Sequence, residues 1–380
     1  MRRVCDRGRE EVKLKKIELS QYRNYESLRL ETDHMVNIFI GPNAQGKTNL
    51  LEAIFVLALA RSHRTSRDRE LIRWNSATAR AYGEAERRHG RVTLEIVFTE
   101  QGKRAKVNGL EQRRLSEFVG TLNVVMFAPE DLEIVKGAPG VRRRFLDMEI
   151  GQIHPGYLHA MQQYGKVLMQ RNRYLKTAGP GARSGLLEVW DEQLAAWGVK
   201  LMKKRQHFIV TLQRWAASIH AGITGGREEL AVEYRPSFEM EEGEEEAVLA
   251  DRFMVKLSQA REQELRRGMT LVGPHRDDLV LRINGMEAQT YGSQGQQRTA
   301  ALSLKLAEIE LIREETGEYP VLLLDDVLSE LDRSRQTMLI DTFQHKVQTF
   351  ITTTSLDGVD REKLRDACLF QVKDGRVEKA

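Results

Sequence analysis

Short apolar runs separated by turn residues predict strands in the first third of the chain. Residues 12–31 predict two strands joined by a turn, and MVNIFI at 35–40 predicts a short buried strand. Residues 80–108 predict a meander with Gly90 and Gly102 at its turns. A further buried strand, LNVVMF, ends before Pro129. Residues 1–11 carry no pattern and are predicted to be a disordered leader.

From about residue 140 the apolar spacing becomes helical. Residues 155–176 and 248–268 each predict a helix, and residues 186–223 predict a single helix of about ten turns. The acidic segment EMEEGEEEA predicts a solvated loop. After Gly268 the strand pattern returns in DLVLRING, YPVLLLDDVL and VQTFITTTS, with a helix from about residue 294.

These patterns predict an α/β protein with a mixed β-sheet and helices. The sheet domain is split in sequence into residues 12–135 and 268–380, and a helical arm at 136–267 is inserted between its halves. A chain of 380 residues, 41% of them hydrophobic, is long enough to bury two cores.

Composition narrows the cellular setting. The longest apolar run, AIFVLALA, is too short to span a membrane, and the basic N-terminus lacks the apolar segment of a secretory signal. Cys5 and Cys368 lie far apart, which favours a reducing compartment and a cytoplasmic location. Neither a disulfide framework nor a zinc site is expected.

The net charge of +4 is unevenly distributed. Residues 1–115 contain 24 lysines and arginines against 15 acidic residues, a net charge of +9, and the remaining residues are net acidic. A basic N-terminal third favours a polyanionic partner, although a solvated charged surface is the alternative.

Between the buried strand and the apolar helix LLEAIFVLALA lies a P-loop. Gly41, Gly46, Lys47 and Thr48 satisfy G-x-x-x-x-G-K-[ST] in the strand–loop–helix context that the motif requires. The glycines let backbone N–H groups point at phosphate oxygens, and the helix N-terminus adds positive potential. Lys47 is predicted to bridge the β- and γ-phosphates of ATP, and the Thr48 hydroxyl to bind Mg²⁺. The predicted nucleotide loop is Gly41, Pro42, Asn43, Ala44, Gln45, Gly46, Lys47 and Thr48.

Two acidic residues end the later buried strand PVLLLDDVL. Sheets of α/β proteins bind ligands at the carboxyl ends of their strands, so Asp325 is predicted to hold Mg²⁺. Asp326 is predicted to orient or deprotonate the attacking water. A pair of acids that merely opens a turn is the alternative.

A second candidate phosphate-binding segment lies in YGSQGQQRTAALSLKLAE, residues 291–308. Ser293 and Gly295 precede a long amphipathic helix, and one nucleotide does not need two helix N-termini at its γ-phosphate. We therefore predict that Ser293 serves the nucleotide of another copy in an ATP-dependent homodimer. The alternative is an ordinary N-cap serine.

Taken in order, these motifs resemble the ABC-type ATPase heads of the SMC/Rad50 superfamily, and more narrowly the RecF family. The narrower resemblance covers residues 12–380 and is carried above all by FAPEDLEIVKGAPGVRRRFLD at 127–147 and GPHRDDL at 273–279. YRNYESL at 22–28 and RSHRTSRDRELI at 61–72 also match. It implies an ATP-dependent DNA-binding clamp for DNA replication and recombinational gap repair, with weak, DNA-stimulated ATPase activity. The implied partners are duplex or gapped DNA and the RecR and RecO mediator proteins.

The resemblance also implies roles for individual residues. Arg23 and Asn24 would approach the α-phosphate and adenine. The implied signature motif is Ser293, Gln294, Gly295 and Gln296, and the implied D-loop at the dimer interface is SELD at 329–332. ABC-type heads in general use a Q-loop glutamine and a switch histidine, and this sequence offers instead Glu130 and either Thr353 or Thr354, departures that are normal for RecF-like chains. Asp326 is shorter than the usual glutamate, which implies slow hydrolysis.

Basic clusters agree with a DNA partner. The predicted DNA-binding residues are Arg61, Arg64 and Arg67 after the P-loop helix, and Lys103, Arg104 and Lys106 on a hairpin. Other basic positions are His63, Arg69, Arg113, Arg114 and Arg142 to Arg144. Such groups predict sequence-independent, salt-sensitive binding, and the sequence predicts neither a recognition helix nor a base-stacking platform. Each cluster has a solvated face as its alternative.

Three other functions fit the sequence less well. A nuclease-coupled motor like Rad50 would need long heptad arms and a CxxC hook, which this sequence lacks. A transporter ATPase would normally carry the switch histidine and no long helical insertion. A structural DNA-binding protein with a vestigial ATPase is disfavoured by the intact Lys47 and Asp325.

Overall fold

The computed structural model describes residues 11–178, 185–241, 243–343, 346–355 and 365–380. The predicted leader therefore lies outside the described residues except for Glu11, which forms an isolated bridge with Tyr319. Among the described residues no helix is long and apolar enough to cross a membrane.

The strands alternate with helices in an order that follows the predicted pattern. In the described residues the strands are β1 Lys13–Tyr22, β2 Tyr25–Glu31, β3 Val36–Ile40, β4 Thr78–Arg87, β5 Gly90–Thr99, β6 Gly102–Val107, β7 Leu110–Glu111, β8 Val124–Phe127, β9 Leu230–Arg235, β10 Asp278–Ile283, β11 Met286–Glu287, β12 Val321–Asp325, β13 Thr349–Thr353, β14 Cys368–Lys373 and β15 Arg376–Lys379.

The helices include the three long ones predicted between residues 155 and 268. They are α1 Lys47–Leu59, α2 Leu115–Phe118, α3 Leu132–Lys136, α4 Pro139–Ile153, α5 Pro155–Ala178, α6 Gly185–Thr224, α7 Glu246–Arg267, α8 Ala288–Tyr291, α9 Gln294–Thr316, α10 Val327–Glu330 and α11 Arg333–Phe343, with 3-10 turns at Asp68–Leu71 and Pro129–Asp131.

The chain forms two compact units. The first comprises residues up to Asp131 together with Leu302–Ala380, and the second comprises Leu132–Ala301. The first unit is thus assembled from both ends of the chain, and the helix-rich second unit is inserted between them in sequence. This confirms the predicted split α/β class.

A largely parallel sheet forms one half of the first unit. Its strand order is β15-β14-β3-β13-β12-β8, in which β15 pairs antiparallel at one edge. The other pairings are parallel, so β3, β13 and β12 end at the same edge of the sheet. The loops and acidic residues that follow these strands are thereby gathered at one edge.

An antiparallel sheet forms the other half, in the order β2-β1-β4-β5-β6-β7. The predicted meander is confirmed, and Gly90 and Gly102 sit at its turns with φ of 121° and 138°. Helix α1 packs against strands of both sheets and is buried along nearly its whole length. This explains why its sequence is apolar on every face.

The second unit combines the long helices with a small sheet that the sequence reading did not predict. Strand β9 pairs with β10 from Leu230↔Ile283 to Asp278↔Arg235. Because β10 belongs to this sheet, the unit continues to Ala301 and does not end at the predicted arm boundary of 267. The short, half-polar β9 carried too weak an alternation to be recognised.

The two most family-specific segments meet inside this unit. Arg142 binds both carboxylate oxygens of Asp278 at 2.7 and 2.9 Å, and Arg143 donates to the backbone carbonyl of Asp277 at 2.7 Å. Arg142 is buried, so the prediction that it contributes to a basic surface cluster is wrong. These arginines instead attach α4 to the start of β10.

A buried arginine ties α5 to the neighbouring helices. Arg171 has no exposed surface and donates to Asp191 of α6 at 2.6 Å and to Glu264 of α7 at 2.7 Å. Its third nitrogen, Nη1, donates to the Thr270 hydroxyl at 2.8 Å. A buried charge of this kind is tolerated only because its partners are complete.

His275, within the family-specific GPHRDDL segment, is half-buried and neutral. Its Nε2 donates to the Thr270 carbonyl at 3.1 Å and its Nδ1 accepts from the Tyr164 hydroxyl at 2.6 Å. Burial lowers the pKa of His275 to about 4, and neighbouring arginines act in the same direction. Protonation would remove the acceptor that Tyr164 uses.

We expect the second unit to lose stability as the pH falls from about 6.5 towards 4. The unfolded histidine binds protons below pH ~6.5, whereas the folded one resists until about 4, so acid favours unfolding by on the order of 3 kcal/mol. Urea unfolding at a series of pH values measures this. His275→Gln should flatten the dependence and the exposed His207→Gln should not. An unchanged slope in His275→Gln would contradict the assignment.

Candidate nucleotide-binding site

Residues 41–46 connect β3 to α1 in a backbone conformation that requires glycine. Gly46 has φ of 115°, and a Cβ there would lie 2.6 Å from Nδ2 of Asn24. A Cβ on Gly41 would lie 2.3 Å from the carbonyl oxygen of Val372. The two glycines thus allow the loop to pass between a side chain on one side and the backbone of β14 on the other.

Hydrogen bonds from distant segments hold this loop. Asn24 donates to the Gln45 carbonyl at 3.0 Å, and the buried Tyr25 hydroxyl donates to the Gly46 carbonyl at 3.0 Å. The turn between β14 and β15 adds the backbone N–H of Asp374 to Oε1 of Gln45 at 2.7 Å and that of Gly375 to its carbonyl at 3.1 Å. The loop is therefore braced before any nucleotide arrives.

Lys47 lies at the first position of α1. Its ammonium donates to the carbonyls of Gly41 and Pro42 at 2.5 and 2.8 Å, which holds it on the loop itself. Burial lowers the pKa of Lys47, and the carboxylates of Asp326 and Asp325 oppose this effect. The arrangement places one partly desolvated cation among the residues predicted to bind phosphate.

Asp325 joins three elements at the carboxyl edge of the parallel sheet. It ends β12, and its Oδ1 accepts from Thr48 of α1 at 3.0 Å and from Thr352 of β13 at 2.6 Å. Thr352 was not predicted as a site residue. Of the predicted sensors, Thr353 donates to the Ser355 carbonyl at 2.6 Å, and Thr354 is exposed.

Asp326 has a left-handed backbone, with φ of 54°, and caps α10. Its N–H donates to the Thr352 hydroxyl at 3.0 Å and lies 3.2 Å from the Thr352 carbonyl. Non-glycine residues in this conformation are uncommon and concentrate at functional positions. Thr352 therefore contacts both acidic residues at this edge.

Arg23 is engaged with a buried acid. Its guanidinium forms two hydrogen bonds to Glu52 at 2.7 and 2.8 Å, and Ser62 donates to the same carboxylate at 2.5 Å. Burial opposes ionisation of Glu52, but the bonds from Arg23 and Ser62 keep its pKa below the usual value. Asn24, in contrast, contacts the P-loop directly and accepts from Asn49 at 2.8 Å.

The predicted signature motif lies in the second unit. The Ser293 N–H donates to Oε1 of Gln296 at 2.9 Å, and the Gln296 N–H donates to the Ser293 hydroxyl at 3.3 Å. This reciprocal pair is a capping box for α9, and Gln296 also binds Glu228 at 3.0 Å. Ser293 and Gln294 are exposed, and Gly295 is half-buried in the first turn. The serine is thus an N-cap whose surroundings are open to solvent.

The remaining motif positions follow the neighbouring strands. Glu130 is exposed on the 3-10 turn after β8, which pairs with β12. The D-loop residues 329–332 span the end of α10, and the Asp332 carboxylate caps α11 by accepting from the Arg335 N–H at 3.1 Å. The side chains of Ser329 and Glu330 lie outside the described part of the chain.

The predicted DNA-binding side chains do not share one face. On β6, Lys103 shares the buried face with Ala105 and pairs with Asp68 at 3.0 Å, whereas Arg104 and Lys106 point to the opposite face. Lys106 pairs with Glu95 at 2.9 Å.

After α1, the basic run is also divided. Arg64 donates to Asn49 of the P-loop helix at 2.9 Å, Arg67 is 82% exposed, and Arg61 is half-buried. His63 packs edge-on against Phe55, and burial lowers the pKa of its imidazole. Among these residues Arg67 and Arg104 are the most accessible to a polyanion.

The site combines a braced P-loop with an acidic strand end beside its threonine. The fold inserts a helix-rich unit between two halves of the sequence. Together these features define a P-loop ATPase head. The family model described as RecF/RecN/SMC N terminal domain matches residues 13–365. Proteins described as DNA replication and repair protein RecF from Staphylococcus aureus strains JH9 and Newman are 54% identical over 97% of this chain and 100% of their own length. The chain belongs to the RecF family.

Solved structures agree with this assignment. Two structures of the recombination mediator protein RecF in the RecFOR pathway, described as RecF-ATPrS and RecF-ATP, are 37% identical with a TM-score of 0.91. The alignment covers 98% of this chain and 99% of theirs. The Smc head domain from Pyrococcus furiosus, 15% identical with a TM-score of 0.54, shares the fold.

We expect Thr352→Val to lower ATP turnover by roughly 10- to 100-fold, the usual effect of removing a group that orients a metal ligand. The hydroxyl that positions Asp325 is lost while the buried β-branched shape is kept. Steady-state hydrolysis over a Mg²⁺ titration measures the effect, and Thr352→Ser should restore activity. Thr349→Val, a buried threonine at the other end of β13, is the matched control. Equal activity in both valine variants would exclude the role of Thr352.

Proposed function

We propose that this chain is an ATP-dependent DNA-binding clamp of the cytoplasm that acts in DNA replication and recombinational repair. The observation that carries the proposal is the contact of Thr48 with Asp325 at the mouth of a braced P-loop. The RecF relatives support it, since they are described as replication and repair proteins and as RecF-ATP. ATP binding thus acts as a switch for holding DNA.

The donor set at the strand edge fits Mg²⁺. The Thr48 hydroxyl and the Asp325 carboxylate are hard oxygen donors 3.0 Å apart, and Mg²⁺ in phosphate sites commonly uses one or two such protein ligands together with waters and phosphate oxygens. Thr48 and Asp325 would therefore hold the ion, which neutralises charge on the β- and γ-phosphates. Thr352 fixes the carboxylate that does this.

Lys47 and Asp326 have separate roles in nucleotide binding and hydrolysis. Lys47 leaves its two carbonyl acceptors to contact phosphate oxygens, and the N–H groups of residues 43–48 surround them. Asp326 orients the attacking water, and its short side chain makes hydrolysis slow. Slow hydrolysis suits a clamp that must stay closed for long periods.

Dimerisation would complete the site. Ser293 and Gly295 of a second copy supply the N-terminus of α9 to the γ-phosphate, so two ATP molecules lie between two heads. Release follows hydrolysis. The RecFOR pathway named for the solved relatives supports RecO and RecR as mediator partners at duplex or gapped DNA.

We expect two substitutions to shift the ATP-dependent mass in opposite directions. Ser293→Arg places a bulky side chain at the exposed helix N-terminus and should leave the protein monomeric with ATP bound. Asp326→Asn should keep Mg²⁺-ATP and prolong the dimer. Light scattering with ATP, ADP and no nucleotide measures both.

Two controls separate an interface effect from a damaged cap. Ser293→Ala removes the capping hydroxyl, worth about 1 kcal/mol, without adding bulk and should still dimerise. Ser258→Arg makes the same bulky change at an exposed position of α7. If Ser293→Arg dimerises normally, or loses ATP as a monomer, the composite site is refuted.

We expect duplex affinity to fall steeply with salt and to be insensitive to base sequence. Arg67→Glu should weaken binding and reduce the slope of log K against log salt by about 1, since one phosphate contact is lost. Fluorescence anisotropy at several salt concentrations measures both quantities. Arg29→Glu, an exposed arginine of β2, is the control. A salt-independent affinity would contradict the clamp.

A further inference from the structure

Trp74 exposes 90% of its surface, the largest fraction among the exposed large hydrophobic residues of the described chain. It follows the 3-10 turn Asp68–Leu71 and lies in the first unit. Together with Arg67, Arg69 and Arg73 it lines a groove of about 650 Å³. Leaving a whole indole in water is unfavourable, so the groove is a candidate for a ligand that covers it.

The turn that carries Trp74 is held firmly. The Arg73 N–H donates to the Gln21 carbonyl at 2.8 Å, and the Ser76 hydroxyl donates to the Gln21 side chain at 2.8 Å. The backbone N–H of Ser76 closes the turn by donating to the Arg73 carbonyl at 3.0 Å, and Asn75 takes the left-handed conformation. The indole is therefore presented from an ordered backbone tied to β1, and little ordering remains to be done on binding.

The charges of the groove do not suit a bare phosphate. Two of its arginines face a carboxylate closely, Arg69 with Glu100 at 3.1 Å and Arg73 with Glu26 at 3.4 Å, whereas Arg67 lies 4.0 Å from Glu70 and is 82% exposed. Balanced pairs cancel the field that would attract a polyanion. The groove therefore offers a ligand planar guanidinium groups beside an indole, together with carboxylate oxygens as hydrogen-bond acceptors.

Those features match a nucleobase. Bases stack on aromatic rings and on arginine planes, and their exocyclic amino groups donate to carboxylates. A base inside a duplex is already stacked and paired, so only an unpaired base can use such a groove. The most exposed arginine of these three pairs, Arg67, is then accessible to an adjoining phosphate.

We propose that this groove binds an unpaired base of DNA, stacked on Trp74, and so marks the single-stranded side of a gap. This deepens the proposed clamp function and rests on it. Arg23 also lines the groove and lies next to the P-loop contact Asn24, so the adenine of ATP is the other source of the same chemistry. A test therefore has to distinguish an unpaired DNA base from the adenine of ATP.

Three affinities of the full-length protein, with and without Trp74→Ala, provide the test. They are those for a labelled twelve-nucleotide dC strand, whose cytosines carry the exocyclic amino group, for a blunt duplex of the same length and for a fluorescent ATP analogue. We expect Trp74→Ala to weaken single-strand binding by roughly five- to a hundredfold, the effect of losing one stacked base. Duplex and ATP affinities should change less than about twofold. Trp74→Phe should retain most of the single-strand affinity because it keeps an aromatic face.

Intrinsic fluorescence gives a second readout. The dC strand should quench emission in the wild type, and the quenched component should be missing in Trp74→Phe. Leu110→Ala, which removes another exposed hydrophobic side chain of the same unit, should behave like the wild type. Unchanged single-strand affinity in Trp74→Ala overturns the proposal, as does an equal loss on the duplex. A loss of ATP affinity alone would assign the groove to adenine. Failure of the wild type to bind duplex would instead refute the clamp.

Discussion

The parallel pairing of β3 with β13 joins segments from opposite ends of the chain, and the nucleotide site depends on it. Val36 pairs with Thr349 and Ile40 with Thr353, while β12 pairs with the other edge of β13. This register brings Thr48 at the start of α1 to Asp325 at the end of β12, with Thr352 beside both acids. Such long-range pairing forms slowly because a large loop must close first.

Local patterns predicted much of this fold, and contacts between distant segments account for what they missed. The P-loop was recognisable because strand, loop and helix are consecutive, and the forty-residue α6 because its periodicity is sustained. Thr352 sat within a predicted strand, but nothing in its neighbours indicates that its hydroxyl meets an acid from another strand. The hydrogen bonds from the β14–β15 turn to Gln45 were likewise not predicted, because no local pattern relates residues 368–379 to the P-loop.

Residue type proved a weaker guide than position for charged side chains. Arg142 resembled a surface cation in sequence but is buried against Asp278, and Lys103 faces away from Arg104 on the same strand. The second unit extends past the predicted arm boundary at residue 267 for a related reason. Strand β10 pairs with β9, which lies in the segment predicted to be a helical arm. Alternation identifies a strand but not the strand that pairs with it.

The left-handed backbone at Asp326 limits how this position can evolve. Aspartate and asparagine tolerate this conformation better than residues with longer side chains, because their short polar groups bond locally. A glutamate at this position would lengthen the side chain but would place a less tolerant residue at a φ of 54°. A single-codon change that lengthens this acid therefore also strains the turn that presents it, so the backbone itself restricts which acids can occupy the position after β12.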